Sequence, residues 1–516
     1  MIPKRGIREF LARPLKDFSK YKDFTDKELQ RRCDLLPVRP PIWKKLLRHQ
    51  KVCFIAGAET GRFAYWCDTG TGKTCLSIAL ILYFAKLKRN KRVIVLVPNK
   101  INKAEWAREI QKHSPTTNYA VLRGSSLDKW KQLEETKALI VIDTYYGLMR
   151  MTTDLVEPKR KSKKKHKLQP SKIQLKRLMK CIDGLILDES TSAKSRGKLP
   201  FRICWQISKQ VGMVYALSGT PFGRDPMDLW GQMYLVDKGE TLGKTLGLFR
   251  ESFFMAKQNY WGGFDYTIDK RKMGLLNRIL SNCSIRIIAD KADLPKVVPI
   301  VKEIGLPMDA KTYYKRAYEQ LVASKGNFRE TKNAFLRLRQ ISSGFLGYAD
   351  DELGIRAQME FPDNPKLDLL LSTIESIPIE DKILVFHDFV FSGSIISREL
   401  DAMGIKHVRL HRNTKDPAVL LKQFDSDAKT QVFILSTAGA FGLNLQKSKY
   451  GLFFERPLSA IMFKQMMRRF ERQYSLHKTV FQYDFVVKRT VDEDIIAFHK
   501  EGKSYFDAII EGQAKL

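Results

Sequence analysis

Residues 67–74 read Cys67-Asp68-Thr69-Gly70-Thr71-Gly72-Lys73-Thr74, and this stretch decides the fold. Phe63-Ala64-Tyr65-Trp66 before it is strand-like, and the apolar run from Leu76 to Phe84 after it is helical in character. Glycines in a turn between a strand and a helix let consecutive backbone N–H groups point at one anion, and the positive end of the helix dipole adds to the field. The spacing predicts a phosphate-binding loop formed by Asp68, Thr69, Gly70, Thr71 and Gly72, with Lys73 reaching the outer phosphates of ATP and the Thr74 hydroxyl binding Mg2+. The strict eight-residue pattern opens with glycine, and Cys67 stands in that place. A second apolar run, Leu185-Ile186-Leu187, ends in Asp188-Glu189 and supplies the carboxylates that a magnesium–ATP site needs.

Around this core, short apolar runs alternate with helical patterns, the signature of an α/β chain with parallel sheets wrapped by helices. The first series is 64–67, 93–97, 119–122, 139–142, 185–187 and 214–217, with helices expected at 74–88, 103–112 and 127–135. A second series follows at 383–386, 407–410, 432–435, 450–454 and 480–485. Two sheets are expected, and only the first carries a phosphate loop. The expected organisation is a basic, proline-punctuated arm over 1–40, a first lobe over 41–238, a helical linker or insertion over 239–365, and a second lobe with C-terminal helices over 366–516. Within the first lobe, residues 158–180 hold eleven Lys or Arg and no acid. That block is expected to project as a loop plus a short amphipathic helix over 173–179, with Lys163, Lys164 and Lys165 as phosphate contacts.

Composition narrows the partners. The 516 residues carry 91 Lys plus Arg against 56 Asp plus Glu, a net charge of +35, which points to a polyanion and above all to nucleic acid. Seven cysteines form no Cys-x-x-Cys pair and no Cys/His array at zinc spacing, so neither a disulfide framework nor a metal module is indicated. Residues 1–10 are basic without an apolar signal core, and no run of about 18 apolar residues occurs, so neither secretion nor membrane insertion is expected. The expectation is a cytoplasmic protein of a bacterium or a phage-infected host.

Further motifs follow the strands in order: Val97-Pro98-Asn99-Lys100, Ser218-Gly219-Thr220-Pro221, Ser436-Thr437-Ala438-Gly439-Ala440-Phe441-Gly442-Leu443-Asn444-Leu445, and Gln465-Met466-Met467-Arg468-Arg469-Phe470-Glu471-Arg472. With these, the chain from about Leu46 to Ile510 resembles the superfamily-two helicases, and within them the Swi/Snf-like DNA translocases and their compact bacteriophage relatives. The resemblance implies two RecA-like lobes. It implies that Gln50 recognises adenine, that Lys73 and Thr74 hold phosphate and magnesium, that Asp188 orders the metal, and that Glu189 activates the attacking water. It assigns Arg469 and Arg472 as arginine fingers from the second lobe, with Gln465 beside them. Pro98, Asn99, Lys100, Asp143, Thr144, Tyr145, Ser436, Thr437, Gly442 and Asn444 become a track along the nucleic-acid backbone, and Ser218, Gly219 and Thr220 a relay between that track and ATP. Three departures stand out: Thr191 where the family has histidine, Arg468 where it has glycine, and His411-Arg412 where it has an acidic residue and glycine.

The function expected is an ATP-dependent translocase or helicase that tracks on duplex DNA and remodels branched DNA or protein–DNA complexes, with ATP and Mg2+ as cofactors. The alternatives are a strand-separating DNA or RNA helicase and the motor subunit of a restriction or recombination complex. The expected partners are DNA and proteins of a replication, recombination or repair assembly, with the chain itself a monomer and no membrane involved.

Overall fold

The computed structural model describes residues 4–68, 70–87, 92–156, 167–219, 226–258, 264–288, 294–324, 327–350, 355–411, 414, 417–436, 443, 445–471 and 475–501. The chain divides into two compact units, Met1–Ala289 and Asp290–Leu516.

The first unit is built on seven strands: β1 (Arg62–Cys67), β2 (Val93–Val97), β3 (Tyr119–Val121), β4 (Ile140–Thr144), β5 (Gly184–Asp188), β6 (Met213–Leu217) and β7 (Ser284–Ile287). They lie in the order β7-β1-β6-β5-β2-β4-β3, and every pairing is parallel. Parallel strands need crossover helices, which cover both faces, so the central strands read as unbroken apolar runs. In β2 all five residues are fully buried. Helices α1 (Arg48–Thr60), α2 (Lys73–Lys86), α3 (Lys100–His113), α4 (Tyr145–Met151), α5 (Lys172–Cys181) and α6 (Asp228–Asp237) surround the sheet. Their ends follow from local chemistry. Helix α1 stops at Gly61, which takes the left-handed φ of 70° that a C-terminal cap favours. Helix α3 starts where Asn99 Oδ1 accepts from the amides of Ile101 and Asn102, at 2.9 and 3.1 Å.

The second unit holds a six-stranded, all-parallel sheet of β8 (Lys296–Ile304), β9 (Lys382–His387), β10 (His407–Leu410), β11 (Val432–Ser436), β12 (Ser448–Phe453) and β13 (Thr479–Val487), in the order β8-β13-β12-β9-β11-β10. Helix α7 (Met308–Ala323) packs on α8 (Phe328–Ser342), and α9 (Ala460–Met467) follows the sheet's fifth strand in sequence. Two parallel-sheet lobes, each with helices about it, are the RecA-like architecture that the sequence led us to expect.

Two expected boundaries move. The arm over 1–40 is part of the first core: Phe10, Phe18, Tyr21, Leu29 and Cys33 are buried in it, and the Phe18 amide donates to the Ser281 carbonyl at 2.9 Å. The stretch 239–365 is not a helical linker. Residues up to Ile287 complete the first sheet, and β8 pairs with β13 along all nine residues of the second. Both missed strands lie at sheet edges. Their exposed positions dilute the apolar signal, and Pro299 inside β8 is tolerated because an edge strand leaves one row of amides unpaired. The helices inside this stretch are Leu246–Phe253, Met273–Leu280, α7 and α8.

Candidate active site

In the first sheet β1, β6 and β5 are neighbours, so the loops after Cys67, Leu217 and Asp188 leave the same edge side by side. The carboxyl ends of parallel strands are where ligands bind in open α/β sheets. The loop after β1 enters α2 through Gly70 and Gly72, with φ of 90° and 76°. A side chain is strained at both. At Gly72 a Cβ would also lie 2.1 Å from Gln50 Nε2.

Lys73 Nζ donates to the carbonyls of Cys67 and Asp68, at 2.8 and 3.1 Å, and among the described residues no carboxylate pairs with it. An ammonium has three donors, so one remains to meet an anion. Thr71 Oγ1 donates to Asp68 O at 2.7 Å and pins the turn from inside. Gln50, only 5% exposed, accepts from the Leu47 amide at 2.9 Å and donates to Thr71 O at 3.0 Å. His49 Nε2 meets the same Thr71 oxygen at 2.9 Å. Gln50 thus braces the phosphate loop as well as standing beside it, a role the sequence did not show. Thr74, at the first turn of α2, is half-buried.

At the end of β5, Asp188 Oδ2 accepts from Trp106 Nε1 at 2.8 Å, Oδ1 from the Glu189 amide at 3.1 Å, and the backbone carbonyl from Tyr145 Oη at 3.0 Å. Burial, and then repulsion from Glu189, push the Asp188 carboxyl up to about 6, against the pull of Trp106 and the Lys73 ammonium. Glu189 has a left-handed backbone, φ 46°, uncommon for a residue with a side chain, and its Oε2 accepts from Ser218 Oγ at 3.3 Å. Just beyond, Ser190 Oγ donates to Gln232 Oε1 at 2.7 Å and ties the turn to α6.

These residues fit a magnesium nucleotide. The Asp188 carboxylate, which burial has made costly to ionise, is relieved by a divalent cation, and the loop offers amides and an ammonium to phosphate. Among the described residues no group of three or more His, Cys, Asp or Glu side chains could hold a metal ion alone.

The expected backbone track divides. Pro98 and Asn99 are half-buried, Lys100 is exposed, and Thr144 Oγ1 caps α4 by accepting from the Gly147 amide at 2.9 Å. Tyr145 needs correction as a phosphate contact: it is 6% exposed and its hydroxyl is committed to Asp188, while its neighbour Tyr146 is 62% exposed. Asp143 is fully buried between the ammonium groups of Lys103 and Lys129, at 2.5 and 2.9 Å. Ser218 is fully buried, and Gly219 follows it. In the second unit Ser436 ends β11, Gln465 lies on α9, and Arg469 is 7% exposed in the turn after it. The Arg469 carbonyl accepts from the Leu445 amide at 3.0 Å, so the arginine turn and the end of the 436–445 motif are joined. Thr69, Lys163, Lys164, Lys165, Thr220, Pro221, Arg412, Thr437, Gly442, Asn444 and Arg472 lie outside the described residues.

A family model described as the SNF2-related domain matches residues 66–349, more than half of the chain. The chain belongs to the SNF2-related family. SNF2-related proteins are helicase-like ATPases that use ATP, typically with Mg2+. This SNF2-related chain is 24% identical over 475 residues to putative protein p41 of Acyrthosiphon pisum secondary endosymbiont phage 1, a match that covers 87% of this chain and 94% of p41. It is 24% identical over 456 residues to Protein CHROMATIN REMODELING 5 of Arabidopsis thaliana, where 83% of this chain spans 25% of the plant protein. Among solved structures it is similar to the Sulfolobus solfataricus SWI2/SNF2 ATPase core in complex with dsDNA, with 21% identity, 91% of this chain and 93% of that chain covered, and a TM-score of 0.38. In the described residues of this SNF2-related chain no helix is long and apolar enough to cross a membrane.

Proposed function

We propose that this SNF2-related ATPase is a DNA-dependent translocase: it hydrolyses ATP when bound to duplex DNA and uses the cycle to remodel branched DNA or bound protein. One observation carries the reading. Lys73 follows β1, Asp188 and Glu189 end β5 with β6 alone between those two strands, and Asp188 is held by Trp106 and Tyr145, whose helices start at the motifs assigned to the nucleic-acid track. The net charge of +35 supports a polyanionic partner.

In this reading the loop amides of residues 70–74 and the Lys73 ammonium bind the outer phosphates, and Gln50 contacts the base while it braces the loop. Thr74 and Asp188 would hold Mg2+, which would supply charge neutralisation at the phosphates. Glu189 takes the proton from the attacking water, with Ser218 fixing one carboxylate oxygen and the left-handed backbone fixing the chain direction. Arg469 and Arg472 add positive charge to the transferring phosphoryl group. Lys100, Ser436, Thr437, Gly442, Asn444 and the lysines at 163–165 contact the sugar-phosphate backbone, and none of them reads sequence.

ATP turnover measured with plain duplex, forked DNA, four-way junctions, single strands and RNA tests this directly. Stimulation by duplex or branched DNA is expected. Stimulation by single strands or RNA alone would assign the protein to strand separation instead.

A further inference from the structure

Asp188 is gripped from two sides, by Trp106 and by Tyr145, which the resemblance had placed on the nucleic-acid track. Trp106 is 1% exposed, and its indole nitrogen donates to Oδ2 at 2.8 Å. It lies on α3, whose first residue is Lys100, about 9 Å along the helix from it. Tyr145 is the first residue of α4, capped by Thr144, and its hydroxyl donates to the Asp188 carbonyl at 3.0 Å. Both helices therefore begin at a candidate DNA-contact segment and are bonded to the same acid. A packed helix moves as a unit because core side chains have no space to yield.

From this geometry we propose that Trp106 is a positioning residue for Asp188, with Tyr145 as its second support, and that this pair carries the effect of DNA at the 98–100 and 144 segments to the magnesium carboxylate. The inference rests on the proposed DNA dependence. Loss of the indole N–H leaves Oδ2 without its donor and lets the carboxylate turn out of register with the Lys73 loop. Partners of this kind, outside the metal's own ligands, change metal affinity or activity by about 10- to 100-fold.

The test compares Trp106→Phe, which keeps a ring in the core, with Tyr145→Phe and with Trp130→Phe. Trp130 is equally buried, and its indole donates to the Met151 carbonyl at 3.3 Å, away from the acid. The first readout is Mn2+ affinity of the ADP-loaded protein, followed by electron paramagnetic resonance. The second is the ratio of ATP turnover with duplex DNA to turnover without it. Trp106→Phe is expected to weaken Mn2+ binding about 10-fold and to cut the ratio by a similar factor, with Tyr145→Phe smaller in both and Trp130→Phe like wild type. Mn2+ affinity and ratio both at wild-type values in folded Trp106→Phe would overturn the proposal. So would a loss matched by Trp130→Phe, which would make the effect one of packing. If the wild-type protein shows no stimulation by any DNA, the proposed function fails, and the Mn2+ arm still decides the role of Trp106.

Discussion

Asp188 illustrates how a few ångströms of surroundings set what a residue does. Its carboxyl is pushed up to about 6 by burial and by Glu189, so the native state keeps a proton that the unfolded chain has already released near pH 4. Stability from this group is therefore full below about pH 4 and is lost as pH rises through about 6. Asp188→Asn is expected to raise the melting temperature of the nucleotide-free protein at pH 7.5 and to change it little at pH 4, as thermal scans at the two pH values will show. If Glu189 takes the proton of the attacking water, as proposed, its loss acts on rate instead: Glu189→Gln should lower ATP turnover by about 100- to 10,000-fold while nucleotide binding persists. Lys73→Ala should also abolish turnover, with weaker ATP binding as its mark in a nucleotide titration. Lys73, Asp188 and Glu189 were legible because each lies in a contiguous motif at a strand end. The contacts of Trp106 and Tyr145 with Asp188 were not, because 82 and 43 residues separate them from it and only the sheet order brings them together.

The central strands were the most legible elements. Strand β2 was expected at 93–97 and lies there, since a centre strand covered on both faces has no polar position to blur it. The edge strands β7 and β8 went unseen, as did the antiparallel pairs 153–156 with 167–170, 254–258 with 264–268 and 345–350 with 355–360, because half-exposed residues carry mixed patterns. Helix packing adds constraints that composition hides. Gly231 on α6 lies so close to the turn after Glu189 that a Cβ there would come within 1.9 Å of the Lys194 carbonyl. Backbone on both sides cannot yield cheaply, so Gly231→Ala should destabilise by about 1–3 kcal/mol. Gly197→Ala, which meets nothing within 4 Å, should stay within about 0.5 kcal/mol of wild type. Denaturant midpoints of the two variants distinguish local crowding from a general intolerance of alanine.

At the scale of the whole molecule, two parallel sheets were expected and the described residues hold two, beside three two-stranded antiparallel pairs, but the chain divides at 289/290 rather than through a helical segment over 239–365. The reason is topological: the last strand of the first sheet and the first of the second both fall inside that segment. The net charge of +35 has its consequence here too. If Lys163, Lys164 and Lys165 contact phosphates, their replacement by glutamine should reduce the slope of log affinity against log salt by about 2–3, and an unchanged slope would assign them another role. Arg469→Ala should retain ATP binding and lose hydrolysis, a separation that filter binding and phosphate release measure side by side. The most direct measurement is ATP turnover by the wild-type chain with and without duplex DNA at fixed, low salt. An increase of about tenfold or more, absent in Glu189→Gln, is the predicted result; equal turnover in the presence and absence of every DNA structure would contradict a DNA-driven motor.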